Sequence, residues 1–210
     1  MIIALNNEGE RINAIPNTKA ICPGCKSVVV SKCGEINVWH WSHLKDADCD
    51  SWNEPESLWH KEWKEKYPKE IREVVIGCHR ADIKTKRGVI ELQSDTLQAE
   101  KIIEREEYYG KMIWLLKGMD FQNNINFREK GDIFTFRWKH PRKSWFSAKK
   151  SIFIDMEPMY EYFYEEDGAF SHVVKIENRE IFWIKKLYPN LPCGGWGIFI
   201  SREKFIRITA

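Results

Sequence analysis

The chain has 210 residues, of which 43% are hydrophobic, including 10 Trp and 11 Phe, and this excludes a mainly disordered protein. The formal net charge is only +2, so bulk electrostatics gives no reason to expect a nucleic-acid partner, and local patches must carry any such argument. No apolar run approaches the roughly 20 residues that span a bilayer, and the start "MIIALNNEGERINAIPN" lacks the features of a signal peptide. A cytoplasmic protein with no membrane contact is therefore expected, and its six Cys read as thiols or metal ligands rather than disulfides.

Residues 1–52 form the first organised unit. Cys22-Pro-Gly-Cys25 places two thiols two residues apart, and its Gly suits the tight turn of a zinc knuckle. Downstream, "VWHWSHLKDADC" supplies His40, His43 and Cys49, with Cys33 between the clusters. A tetrahedral zinc site needs four donors, and more are on offer. Cys22, Cys25, His43 and Cys49 are the favoured set; His40 is the first substitute, or a ring stacked among Trp39 and Trp41. Four protein donors leave no open position, so this zinc would be structural and contribute on the order of 10 kcal/mol to folding.

A helix is predicted from Asn53 to a stop at Pro68, with Asn53 and Glu56 as a reciprocal cap and Pro55 in the first turn. At 100° per residue, Glu56, His60, Trp63 and Tyr67 fall in one sector, with Lys64 at its margin. Glu56 and His60 are then either a cap and a hydrogen-bonded helix histidine, or ionisable groups facing a polar cleft. Next, "REVVIG" and "HRADIK" read as strands broken near Gly77, followed by a "TKRG" turn and the strand "VIELQ". A four-residue loop pairs Lys84 with Val89 and sets Asp82 opposite Glu91; a two-residue loop keeps the two acids on the same face, with Arg80 and Gln93. At ~4 Å and an effective dielectric of about 20, these carboxylates would repel by about 4 kcal/mol. A divalent cation between them would turn that cost into a binding site, and Mg²⁺ prefers such oxygen ligands.

"SDTLQAEKIIEREEYYG" reads as a second helix, with Asp95 and Gln98 as its capping pair and Gly110 as its stop. Arg105 and Tyr109 lie four apart on it, to contact phosphate, to brace the site, or to join an exposed salt-bridge network. "KMIWLLKG" then reads as a strand buried on both sides, joined to "VIELQ" by a right-handed parallel crossover. The predicted order over 53–118 is helix, three strands, helix, strand.

That order, with acids on the second and third strands and on the first helix, resembles the PD-(D/E)XK nuclease core. The series "CPGC", "HWSH" with a following Cys, "ESLWHKEWK", "RADI", "IELQ" and Arg-x-x-x-Tyr with "WLL" is similar to the competence protein CoiA family from about residue 1 to 118. The resemblance implies an α/β, restriction-endonuclease-like αβββαβ core and a Mg²⁺- or Mn²⁺-dependent nuclease acting on DNA. Asp82 and Glu91 would be its metal ligands, with Glu56 contributing. Gln93 stands where the family signature has a catalytic Lys, so either Gln93 positions water or Lys64 or His60 helps. The alternative is a catalytically inactive, zinc-containing DNA-binding protein.

Residues 119–210 read as a strand-rich extension, from runs such as "IFTFRW" and "REIFWI". Between Ile133 and Ile154 there is no acid, while Arg137, Lys139, Arg142, Lys143, Lys149 and Lys150 interleave with Trp138, Trp145 and Phe146. This suits either a nucleic-acid contact or a solvated loop crossing an aromatic core. "CGGWG" at 193–197 is predicted to be a tight turn. A homo-oligomer is compatible with the sequence.

Overall fold

The structure, a computed structural model, describes residues 1–44, 49–52, 55–156, 160–164, 170–175, 180–190 and 192–210, with only the backbone described for 160–164 and 170–175. It is a mixed α/β protein dominated by strands, in two compact units, Met1–Ile90 and Glu91–Ala210. The division falls inside a strand, so it runs through the 53–118 segment rather than at its ends.

In the first unit, β1 (Ile3–Leu5), β2 (Arg11–Asn13), β3 (Lys19–Ile21), β4 (Val28–Lys32) and β5 (His40–His43) form an antiparallel sheet in the order β2-β1-β3-β4-β5. Ala4, Ala20 and Val29 are small enough to admit the ring of Trp41, which is 2% exposed and donates its indole N–H to the Ile12 carbonyl at 3.2 Å. Cys33 packs against the same cluster and is a core side chain.

Helix α1 (Leu58–Glu65) is shorter than predicted. Ser57 is its N-cap: the hydroxyl accepts from the His60 N–H, and the His60 side chain accepts from the Ser57 N–H. An extended hydroxyl residue satisfies free helix N–H groups well, so Ser57 takes the role assigned to the Asn53/Glu56 pair. Asn53 lies outside the described residues, and Glu56 precedes the helix instead of riding on it. Trp59, His60, Trp63 and Lys64 form the buried face.

Strands β6 (Arg72–Ile76), β7 (His79–Thr85) and β8 (Gly88–Gln93) follow. The β7–β8 hairpin pairs Lys84 with Val89 as predicted, through the two-residue loop Lys86-Arg87, and Ile83 with Ile90. Asp82 and Glu91 each stand one residue beyond that last pair in sequence.

In the second unit, α2 (Ala99–Tyr109) starts at Gln98 without a side-chain cap, so the Asp95/Gln98 capping pair is not formed. Gly110, at φ 62°, closes it as predicted. Then come β9 (Met112–Lys117), β10 (Ile125–Lys130), β11 (Ile133–Trp138), β12 (Ser151–Asp155), β13 (Tyr160–Tyr164), β14 (Phe170–Lys175), β15 (Ile181–Tyr188), β16 (Gly194–Ile200) and α3 (Arg202–Thr209). The sheet order is β10-β11-β16-β15-β12-β9, with β9 and β12 parallel, and β13 and β14 pair separately. Along the chain, α1-β6-β7-β8-α2-β9 is helix, three strands, helix, strand.

The "CGGWG" prediction is corrected: its glycines lie within β16 and make no turn. A Cβ at Gly194, Gly195 or Gly197 would collide with the carbonyl oxygens of Phe136, Lys186 and Trp183 respectively, so these glycines allow close approach of neighbouring strands.

Candidate functional site

Two constellations stand in the first unit. In one, Cys22, Cys25, His43 and Cys49 bring their ligand atoms within 4.8 Å of one another. Cys22 follows β3, His43 ends β5, and the intervening turn is closed by Cys22 N–H to Ser27 O at 2.9 Å and Lys26 N–H to Cys22 O at 3.1 Å. The left-handed residue of this turn is Lys26, at φ 65°, not Gly24. Cys22 Sγ and Cys49 Sγ are 3.8 Å apart, and Cys25 Sγ and His43 Nε2 are 3.3 Å apart. A zinc tetrahedron with Zn–S near 2.3 Å has an S···S edge of about 3.8 Å, which the Cys22–Cys49 pair matches, so the cluster could hold a structural zinc. His40 is turned away, with Nδ1 2.8 Å from the Val38 carbonyl.

Burial opposes the Cys25 thiolate, but hydrogen bonds from Ser27, Cys49 and His43 outweigh it and bring the pKa down to about 6. Burial pushes Cys49 up to about 11, with the neighbouring Cys22 and Cys25 adding to it. Thiolates this close are jointly stable only around a cation. Next to Cys49, Asp50 accepts from the Arg80 N–H at 2.8 Å and the Trp52 N–H at 2.9 Å, and lies 2.7 Å from His79 Nδ1. Trp52 stacks on His79, centroids 3.4 Å apart and rings parallel to 1°.

The second constellation is built around Lys64. Its ammonium, 3% exposed, lies 2.8 Å from Glu56 Oε1, 2.9 Å from Glu73 Oε1 and 2.9 Å from Asp82 Oδ1. Burial disfavours the charge, but Asp82, Glu56 and Glu73 outweigh burial and raise the Lys64 pKa well above its ordinary value. Glu73, which sequence reasoning passed over, is completely buried in β6 and accepts from Ile2 N–H at 2.9 Å and Ile3 N–H at 2.8 Å. Its φ of 47° is left-handed, a strain of about 1–3 kcal/mol that these bonds offset. Burial also works against ionised Glu73, but Lys64 and Arg80 hold its carboxyl well below its usual value. The available signal was a lone acid inside an apolar strand.

Glu56 opens on a cleft of about 500 Å³ lined also by His40, Trp41, His43 and Arg80. His60 is 4% exposed and spends Nδ1 on Ser57, 2.8 Å from its hydroxyl, which makes it a helix-capping group here. Burial, against the pull of Lys64, raises the Glu56 pKa to about 7. A carboxyl whose folded pKa exceeds its unfolded value binds its proton more tightly when folded. It therefore costs stability as pH rises from about 4.5 to 7. Glu73, depressed instead, loses its contribution only as pH falls below about 4.5. Glu56→Gln leaves Lys64 paired with Glu73 and Asp82. Urea titrations without added Mg²⁺ should show the variant gaining on wild type between pH 5 and 8, by on the order of 3 kcal/mol. Parallel stability curves across that window would exclude the raised pKa.

In the second unit, Glu91 and Gln93 are 4% and 1% exposed. Arg105 of α2, also buried, lies with Nη1 3.3 Å from Glu91 Oε2. That is long for a charge-assisted bond, and it makes Arg105 a brace for Glu91 rather than a member of an exposed network. Tyr109, further along α2, meets the edge of Tyr108 at 5.4 Å. Trp138 and Trp145 cannot serve as stacking surfaces, because they are 2% and 1% exposed. The alternation of β11 turns Phe134, Phe136 and Trp138 inward, and Trp145 packs edge-on against Trp114 at 5.1 Å. Arg142 donates to the Ser94 carbonyl at 3.1 Å and covers the Phe121 ring.

Fold and site together define a strand-rich α/β protein with a Cys₃His cluster able to hold zinc and a buried, lysine-centred carboxylate cluster. Residues 5–51 match the family described as competence protein CoiA, N-terminal domain, and this stretch contains all four residues of the Cys₃His cluster. The match supports kinship with that family over those residues. No curated protein and no solved structure matches the chain. Among the described residues, no helix is long and apolar enough to cross a membrane.

Proposed function

We propose that this protein is a divalent-metal-dependent nuclease that hydrolyses DNA phosphodiester bonds, in DNA uptake, processing or defence, on a PD-(D/E)XK-like core. The observation that carries the reading is Lys64, a buried ammonium 2.9 Å from Asp82. Asp82 is a predicted metal ligand, and Gln93 stands in the place of the signature's lysine. Lys64 supplies a positive charge from α1 beside Asp82.

Carboxylate oxygens suit Mg²⁺ or Mn²⁺, and the proposed set contains no soft donor. The family resemblance makes Asp82 and Glu91 the expected ligands, and Glu56, which shares Lys64 with Asp82, would be available to anchor a coordinated water. The ion would supply Lewis-acid polarisation of the phosphoryl oxygen and an acidified water. Lys64 stabilises charge developing beside Asp82, and the Gln93 amide orients the attacking water by hydrogen bonding. Arg105 fixes the Glu91 rotamer.

A second reading is favoured by the same residue: an ammonium satisfied by three carboxylates can replace a metal altogether, leaving a zinc-containing DNA-binding protein without turnover. Labelled single- and double-stranded DNA incubated with wild type and Glu91→Ala, in Mg²⁺, Mn²⁺ or no divalent ion, separates the two. Metal-dependent cleavage reduced at least about 100-fold in the variant supports the nuclease. Equal DNA binding by both proteins with no cleavage by either replaces it with the binding protein.

A further inference from the structure

Lys149, Lys150, Lys185 and Lys186 line one cleft of about 360 Å³ in the second unit, and among the described residues no Asp or Glu lines it. The lysines come from two separate segments, and the structure fixes each of them. Lys149 and Lys150 donate their backbone N–H groups to the two oxygens of Glu106, at 2.8 and 3.1 Å. Glu106 is 3% exposed and also accepts the Trp114 indole N–H at 2.9 Å, so this acid is committed to backbone and ring and does not face the lysine ammoniums. Lys185 and Lys186 sit at a β-bulge, where the β15–β16 register passes from Ile184↔Gly197 to Lys186↔Trp196. A bulge inserts an extra residue and re-aims its neighbours, and here Lys186 lines the cleft while the Lys185 ammonium at its edge lies over the Trp183 ring, 2.8 Å from the ring centre. Burial lowers the pKa of Lys185, as expected for an ammonium partly desolvated with no acid to compensate it.

Lysines gathered from two segments onto one cleft suit a polyanion as partner. Lysines act as point charges without the planar fork that reads a particular group, so recognition would be electrostatic and independent of base sequence. We infer that this cleft binds the phosphodiester backbone of a nucleic acid, holding the strand for the chemistry of the proposed nuclease, a reading on which the inference rests for its choice of polyanion. Trp145 is buried and offers no ring face to the contact, which falls to the lysines, with the half-buried Phe146 at the cleft wall.

The test is fluorescence anisotropy of labelled DNA of mixed sequence, without added divalent ion, from 50 to 200 mM salt. Each phosphate contact contributes about 0.9 to the salt slope on duplex DNA and about 0.7 on single strands. Lys149→Ala/Lys186→Ala should lower the slope by about 1–2 and weaken binding about 10-fold or more, with an unchanged melting temperature. Lys149→Arg/Lys186→Arg, which keeps the charge, should retain the wild-type slope. A wild-type slope in the alanine variant overturns the inference, and so does capture of phosphatidylglycerol vesicles by a wild-type protein that ignores DNA. If wild type binds DNA through these lysines but never cleaves it, the inference stands and the nuclease reading falls. If wild type cleaves while the alanine variant binds and cleaves as wild type, only the inference falls.

Discussion

Replacing Cys22 by Ser is expected to abolish tight zinc binding and to unfold the sheet that carries the donors. Wild type should purify with about one zinc per chain, and the variant with essentially none. The loss can reach the order of 10 kcal/mol, because metal affinity in a closed site of this kind is folding free energy. Cys22 is 1% exposed and packs with Ala4, Ala20, Val29 and Trp41, so removing the ion also leaves a polar group in the core of this sheet. Elemental analysis and denaturant titration of both proteins test this. A metal-free wild type with the same transition as the variant would leave the Cys₃His cluster without a structural role. Catalysis is assigned elsewhere, so a Cys22→Ser protein that kept its fold and DNA binding yet lost cleavage would contradict that division.

Lys64→Met should cost about 3–5 kcal/mol, the penalty for removing one partner from a buried ionic cluster. Glu56, Glu73 and Asp82 would then share a desolvated space without their common cation. The midpoint of urea unfolding should fall accordingly, and combining Lys64→Met with Glu56→Gln and Asp82→Asn should restore part of the loss by removing the stranded charges. A single variant within about 1 kcal/mol of wild type would mean that the cluster is solvated in solution, because exposed pairs contribute no more than that. Lys64→Arg keeps the charge but displaces it. Retained stability with slowed cleavage would separate the catalytic use of this residue from its structural one.

The four zinc donors could be read from the sequence because short spacing and donor chemistry constrain each other, and His43 over His40 was decided only by where β5 points its rings. The strands from Arg72 to Gln93 were legible too: Gly77 and the "TKRG" turn bracket runs with period-2 alternation, and Lys84 pairs with Val89 as the pattern required. Glu73 was not legible. Its importance comes from a left-handed backbone and from the Ile2 and Ile3 amides some 70 positions away, and no local pattern encodes either. Glu56 was misplaced for a related reason. The Asn53/Glu56 pattern fits a cap by spacing alone, whereas the cap that forms is Ser57 with His60, whose imidazole stands where a capping box usually has Glu or Gln. The basic, aromatic-rich stretch after Ile133 suggested stacking because composition does not say which residues of a strand face inward.

The stack of Trp52 on His79 has an optical consequence. Trp52 lies three residues beyond Cys49, and its ring is held face to face with an imidazole whose other contact is Asp50. Ring stacking of this kind alters indole emission, so Trp52 is an intrinsic reporter that sits where the knuckle is pinned to β7. Titrating zinc into the stripped protein should change fluorescence in step with occupancy, and Trp52→Phe should reduce that response, leaving the part owed to Trp41, with the metal still bound. Loading of the N-terminal cluster could then be followed in real time without a label, on the strand that also carries Asp82.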